Sequence, residues 1–540
     1  MPILNWLGRD EALKTANKTP YRLLEEVPEL GYGDKTKENM IVQGDNLEAL
    51  KALLPFYAGQ VKCIYIDPPY NTGNAFENYD DNLEHSVWLS LMQPRLELLK
   101  EFLSEDGCIF VQINDDEYPY LKVMCDEVLG RNNYETTFYV KVRHENRILR
   151  EDIRYQLVVE QVLLYRKSSA FIPPRREKTK NADKDYVWNV EITGQPDSIE
   201  KISGYDVEIY KPNNYKIQKS EDGVLKQYQI RGSLITQRGS ASEYYEQNLR
   251  ARREYDGLGC LYKVMGMGVN GDGLGYRYIM QPTKTNSKNG FYFQGKPQKS
   301  TTSKGLPYPN FYDWVDVFNN AGYEGGNEFR GGKKPEDWIR FLLSLVTNPN
   351  DLVLDSFLGS GTTAAVAHKI GRRYIGIEMG NHAITHCVPR LKAVVDGEQG
   401  GISKAVNWQG GGGFRFYKLG NEVFDAEGNI NENISFENLS AHIWFTETKT
   451  PFNKPTAKST YLGSYNNVSY ALLYNGILRD KRVDGGNVLT NKTLNVILED
   501  MQHQPYEKLV IYGESSRISQ TRLKSLNIEF KQTPYDIKAR

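Results

Sequence analysis

Residues 61 to 66, VKCIYI, make an apolar strand, and the four that follow, DPPY, stop it. Neither Pro68 nor Pro69 has an N–H to donate to a ladder, so the chain must leave its sheet directly after Asp67. Open α/β sheets hold their ligands beyond the carboxyl ends of their strands, which puts Asp67 and Tyr70 on the rim of a cleft. A plain strand exit with a solvated Asp fits the tetrapeptide equally well, so its surroundings must decide.

Those surroundings read as a parallel sheet. MIVQGD (40–45) is a short strand closing on Gly44 and Asp45, NLEALKALLPFY (46–57) has helical spacing, and the strand at 61 follows. HSVWLSLMQPRLELLKEFL (85–103) is amphipathic over several turns, GCIFVQIND (107–115) is a strand that again closes on an acid, and VEQVLLYRK (159–167) is a further strand. From about 168 to 330 long apolar helices vanish and Gly, Asn, Lys, Arg, Ser and Tyr dominate, as in PPRREKTKNADKDY (173–186). This predicts a loop-rich or β-rich insertion. Regular α/β pattern returns near 331 and closes with FRFYKLG (414–420). Beyond it, YALLYNG and KLVIYG flank a helical LTNKTLNVILEDM, a small α/β module. The chain thus divides into an N-terminal helical segment (1–39), two core halves (40–167 and 331–420) separated by an insertion (168–330), and a C-terminal module (421–540).

LVLDSFLGSGTTAAVAHK (352–369) is a second strand that ends on an acid, Asp355, here followed by FxGxG entering a small-residue helix. Gly359 and Gly361 have no Cβ, so backbone can approach a ligand closely there. Strand RYIGIE then ends on Glu378, where the ribose hydroxyls of a nucleotide-like ligand find an acceptor. The loop has neither GxxxxGK[ST] nor the third Gly of the dinucleotide fingerprint. A nucleoside cofactor without phosphate, S-adenosylmethionine, answers that pattern.

Composition bounds the rest. With Lys+Arg 67 against Asp+Glu 68, the net charge of −1 argues neither for nor against nucleic acid, since a groove can be basic on a neutral protein. No run approaches the ~20 apolar residues of a membrane span, and MPILNWLGRDEALK turns charged too soon for a signal peptide. Cys63, Cys108, Cys125, Cys260 and Cys387 form no CxxC pair and read as buried free thiols of a cytoplasmic protein. His382 and His386 could share a helix face, but no third ligand stands nearby and no metal is expected.

FxGxG together with DPPY resembles the amino-methyltransferases of DNA, in the permuted β order with the catalytic motif first and the cofactor motif last. VQGDNLEALKALL, YIDPPYNTGN, HSVWLSLMQPRL, GKKPEDWIRFLL and IEFKQTPYDIK extend the resemblance to the modification subunit of type III restriction–modification systems over nearly the whole chain. The resemblance implies an α/β fold with a permuted Rossmann-like methyltransferase core, a mostly parallel doubly wound sheet carrying an inserted target-recognition domain. It implies that Asp355, Phe357, Gly359, Gly361 and Thr362 surround the methionine part and loop of S-adenosylmethionine. Glu378 would meet the ribose, Asp45 the adenine ring, and Lys334, followed by Pro335, the methionine carboxylate. The acceptor would be adenine N6, whose lone pair is delocalised into the ring. Asp67 and the carbonyl of Pro68, held rigid by Pro69, would accept its two N–H bonds, and Tyr70 would stack on the flipped base. Asp at the first position favours adenine over cytosine N4, where the family usually has Ser. Cytosine-C5 chemistry needs a cysteine nucleophile, and the chain has no PC dipeptide.

The insertion is the natural reader of double-stranded DNA. Arg175, Arg176, Lys178, Lys180 and Lys184 stand beside Tyr186 and Trp188, and Arg252 and Arg253 lie in LRARRE. The C-terminal module has no acid/base pair or glycine loop. By resemblance it would serve a homodimer and dock a restriction (helicase–nuclease) subunit. A stand-alone adenine-N6 or cytosine-N4 methyltransferase, a methyltransferase of RNA or protein, and an inactive DNA-binding relative stay open.

Overall fold

The computed structural model describes residues 3–34, 38–71, 84–146, 155–176, 185–230, 240–269, 271–296, 305–326, 332–424, 430–431, 434–453, 459–502, 504–533 and 537. Two compact units account for them. One comprises Met1–Pro174 with Pro309–Arg540, the other Arg175–Tyr308.

The first unit is built on an 11-stranded sheet. Its centre runs Met40–Gln43, Arg373–Glu378, Leu352–Asp355, Val61–Ile66, Leu103–Ile113, all parallel. Both ends are mixed. Val159–Arg166 and Tyr134–Lys141 add antiparallel on one side, and on the other Gly413–Glu422 adds parallel to Met40–Gln43 and antiparallel to Arg22–Glu26. Strand Met40–Gln43 therefore lies beside the last strand of the glycine-loop half (Ile375↔Met40), so the two sequence halves interleave in one sheet. Because the five central strands are parallel, Asp45, Asp67, Asp355 and Glu378 all fall at one edge of it.

Helices cover both faces. Asn46–Tyr57 and His85–Phe102 pack on one, Glu336–Val346, Thr362–Lys369 and Val388–Val395 on the other. Each layer is anchored by a fully buried tryptophan, Trp88 and Trp338, worth roughly 1.5–3 kcal/mol apiece by burial alone. Helix Asn46–Tyr57 starts where Asp45 accepts the N–H groups of Leu47 (2.9 Å) and Glu48 (3.3 Å), satisfying two orphan donors of the first turn.

The boundaries of the insertion differ from those of the sequence pattern. Residues on both flanks fold with the core: Phe171 is buried in it, and Phe311–Asp313 pairs with Tyr134–Lys141 to extend the main sheet. A three-residue strand is too short to show a period, so its pairing has no local signature. The Arg22–Glu26 strand, RLLEE, lies in a segment expected to be helical; with three charges in five residues it shows neither an apolar run nor a strict alternation. The second unit is β-rich, an eight-stranded sheet in which neighbouring strands of the described residues pair antiparallel.

The C-terminal module is a four-stranded sheet in which Val468–Leu472, Lys508–Gly513 and Ile528–Gln532 run parallel. Helix Asn491–Asp500 opens with a capping box between Thr490 and Thr493.

Candidate active site

Asp67 leaves strand Val61–Ile66 between two parallel neighbours, with Leu354 opposite Ile64 and Val111 opposite Ile66. The proline exit is then pinned from both sides. Trp88 Nε1 donates to the Pro69 carbonyl (2.8 Å), and Asn71, at φ +58°, donates its amide to Glu117 Oε1 (2.7 Å). Among the described residues the Pro68 carbonyl between these anchors accepts no hydrogen bond.

Lys334 sits over this exit. Its ammonium is 2.8 Å from Asp67 Oδ2, 3.7 Å from Glu160 Oε2 and 4.7 Å from the centre of the Tyr70 ring. Glu160 accepts the Tyr70 hydroxyl (2.8 Å) and the Gln112 amide (2.6 Å), while Gln112 Oε1 accepts Tyr65 (2.8 Å) and Trp338 (2.9 Å). Side-chain exposure is 17% for Asp67, 8% for Lys334 and 13% for Glu160, so the charges are largely withdrawn from water. Burial raises the Asp67 carboxyl above its ordinary range, with Lys334 opposing and Glu160 assisting. Burial would lower the Lys334 ammonium, but Asp67 and Glu160 outweigh it, so Lys334 stays protonated. Asp67 Oδ1 is buried and has no partner among the described residues.

The glycine loop lies at the same sheet edge. Gly359 and Gly361 have φ +57° and +81°, values open to glycine. Glu378 holds the loop, accepting the Gly359 N–H (2.7 Å) and the Gly380 N–H (3.1 Å) and meeting His382 Nε2 at 2.9 Å. Beneath, Arg390 bonds Thr362 Oγ1 (2.8 Å), the Ser360 carbonyl (3.2 Å) and Glu336 (2.8 Å), and Lys369 meets Glu336 at 2.7 Å. Asp355 accepts the Phe357 N–H (2.9 Å), and burial pushes its carboxyl up to about 7. Asp45, expected at an adenine ring, caps its helix and meets Arg95 at 2.9 Å. Ser356 Oγ, like Asp67 Oδ1, is buried without a partner among the described residues. An unmade buried bond costs about 1–3 kcal/mol, so two at one sheet edge suit a polar ligand lying along it.

A family model for DNA methylases matches residues 61–388, from the strand before DPPY to the helix after Glu378. The chain belongs to the DNA methylase family. A protein assigned as the HindVI type III restriction–modification Mod subunit of Haemophilus influenzae is 35% identical over 418 residues, 71% of this chain and 54% of that protein. The EcoPI Mod subunit of Escherichia phage P1 is 29% identical over 427 residues, 68% of this chain and 60% of that one. The chain spans about half the length of the curated relatives it matches. Among solved structures, the PvuII cytosine-N4-specific DNA methyltransferase aligns with 66% of this chain and 86% of its own at 14% identity and a TM-score of 0.32.

The methylase core thus gathers Asp67, Pro68, Pro69, Tyr70 and Lys334 around one point and Asp355, Phe357, Gly359, Gly361, Thr362 and Glu378 around another. The cationic candidates divide differently. Arg175 and Arg176 are exposed in the second unit, and Lys178, Lys180 and Lys184 lie outside the described residues. Arg252 is committed to Glu200 (2.9 Å) and Asp256 (2.7 Å), and Arg253 to the carbonyls of Ser287 (2.8 Å) and Thr285 (2.7 Å). Sequence reasoning missed Glu160, Gln112, Trp88 and Glu117. Glu160 did leave a trace, as the one charge in the mostly apolar VVEQVLLY (158–165).

Proposed function

We propose that this chain is the modification subunit of a type III restriction–modification system, transferring methyl from S-adenosylmethionine to N6 of an adenine flipped out of double-stranded DNA. The observation that carries the reading is a pair of acceptors without a partner among the described residues, Asp67 Oδ1 and the Pro68 carbonyl, on a proline-stiffened exit at the sheet edge that also carries FxGxG.

The residues divide the work as follows. Asp67 Oδ1 and the Pro68 carbonyl accept the two amino hydrogens and draw N6 toward tetrahedral geometry, so that its lone pair turns from the ring to the methyl donor. Burial raises the proton affinity of Asp67, which suits it to hold the proton that N6 gives up. Tyr70 stacks on the extruded base, with its hydroxyl kept on Glu160. Asp355, Phe357, Gly359, Gly361, Thr362 and Glu378 hold the cofactor, which when bound supplies an electrophilic methyl group. No enzyme thiol takes part: burial raises Cys63, Cys125, Cys260 and Cys387 and keeps them as thiols.

The unit Arg175–Tyr308 reads the target, with Arg175 and Arg176 on phosphates. Residues 421–540 serve a homodimer and a helicase–nuclease partner, in the cytoplasm, where five free buried thiols persist. Among the described residues no helix is long and apolar enough to cross a membrane.

The test is single-molecule sequencing of genomic DNA from cells expressing the chain alone, beside an Asp67→Ala strain. N6-methyladenine in one short motif, on one strand, only with the intact protein is the expected result. A modified cytosine, or no modified base from soluble protein with cofactor bound, would overturn it.

A further inference from the structure

Lys334, like Asp45, stands where the family resemblance did not place it. Expected at the cofactor's carboxylate, its ammonium instead lies between two protein carboxylates, Asp67 and Glu160, at 2.8 and 3.7 Å. Glu160 reaches this point from strand Val159–Arg166, two strands away from the one that delivers Asp67. A carboxylate this deep in the protein is costly unless it is paired. Among the described residues its partners are the Tyr70 hydroxyl, the Gln112 amide and Lys334, and two of these three belong to the transfer site itself.

We propose that Glu160 is a positioning residue for methyl transfer: it anchors the Lys334 ammonium and the Tyr70 hydroxyl, so that Lys334 occupies Asp67 Oδ2 and leaves Oδ1 as the acceptor for the amino group. This rests on the reaction proposed above. It explains why one oxygen of the same carboxylate is ion-paired while the other is buried and unpartnered among the described residues. It also gives Tyr70 a fixed ring plane, since a phenol held at its hydroxyl and faced by a cation at 4.7 Å has little freedom to turn.

The charged and titratable groups that act on Asp67 are Lys334, Glu160 and Tyr70, with Tyr65 and Asp355 also within its field, and Arg143 acts on Lys334. Glu160 raises the proton affinity of Asp67 and Lys334 lowers it. Removing each therefore moves Asp67 in opposite directions, which a packing defect would not do.

The experiment compares the wild-type chain with Glu160→Gln and Lys334→Met. Glu160→Gln retains an acceptor for Tyr70 but removes the charge facing Lys334. Its affinities for S-adenosylmethionine and DNA should stay within about twofold of wild type while single-turnover transfer falls roughly tenfold or more. The acid limb of the transfer rate should move to lower pH in Glu160→Gln and to higher pH in Lys334→Met, and Glu160→Asp should recover part of the loss. The Asp67 carboxyl, followed by 13C NMR in the cofactor-free proteins and assigned with Asp67→Asn, should titrate with the same two signs. That readout needs no turnover, so a wild type that fails to methylate DNA would count against the reaction while the titration still decides the pairing. An unchanged transfer rate in Glu160→Gln, or Asp67 titrations moving together in the two variants, overturns the proposal. A Lys334→Met protein that loses cofactor affinity yet keeps its rate at saturating cofactor also overturns it, and returns Lys334 to the cofactor.

Discussion

Two buried aspartates at one sheet edge differ because their neighbours differ. Asp67 has a cation 2.8 Å away, whereas Asp355 is buried against a backbone N–H and Thr363 and is pushed up to about 7. Asp67→Asn removes the acceptor charge without changing size, and should lower methyl transfer by at least ~100-fold while leaving cofactor affinity within about twofold. Equilibrium binding beside single-turnover rates checks it. The Asp355 shift has a stability consequence. Its folded value lies above the 3.8 of an unperturbed Asp, so the folded state binds the extra proton. Its favourable contribution is present below pH 3.8 and is lost as pH rises through 7. Asp355→Asn, which keeps the oxygen that accepts from Phe357, should therefore be more stable than wild type at pH 8, by on the order of 4 kcal/mol, with the gap closing toward pH 4. Urea unfolding at the two pH values measures this, and a gap independent of pH would contradict it.

The glycine loop is held as much by what lies under it as by its own conformation. Gly361 stands at φ +81° as the residue before helix Thr362–Lys369, and an added Cβ would lie 3.4 Å from both Cα and Sγ of Cys387, an ordinary van der Waals contact. The cost of Gly361→Ala is then the left-handed backbone, about 1–2 kcal/mol, read as a lower unfolding midpoint with weaker cofactor binding. Glu336 is the larger lever. It is fully buried and joins Arg390 of one helix to Lys369 of another, and both helices border the loop. Glu336→Gln would take the buried carboxylate from Arg390 and leave Lys369 with Glu398, a loss of about 3–5 kcal/mol by denaturant titration. FxGxG could be read from neighbours in sequence, because glycine is the residue that takes φ > 0 at least cost. The Glu336 brace could not, since an acid opening a helix is equally common as a solvated first-turn residue.

At the scale of the molecule, the C-terminal module is no loose appendage. Tyr21 and the partly buried Phe56 pack into one core with Val423, Ile443 and Trp444, and the Phe452 N–H donates to the Pro55 carbonyl (2.9 Å). Deleting residues after 421 would uncover that surface, so the truncated chain should melt roughly 5 °C or more below the intact one by calorimetry, quite apart from any loss of association. An unchanged midpoint would mean the shared core contributes nothing. By itself the sequence determined the alternation of strand and helix around the two motifs and the two motif-bearing exits, and narrowed the middle to a loop-rich or β-rich segment. Those features depend on local chemistry: prolines that cannot donate, glycines that admit positive φ, and apolar periods of two or 3.6 residues. Only the tertiary structure decided that strand Met40–Gln43 lies against Arg373–Glu378, that Phe311–Asp313 completes the main sheet, and that Lys334 and Glu160 meet at Asp67. Such pairings join residues far apart in the chain. Which side chain answers a buried charge is fixed by strand order and helix approach, and no neighbouring residue encodes either.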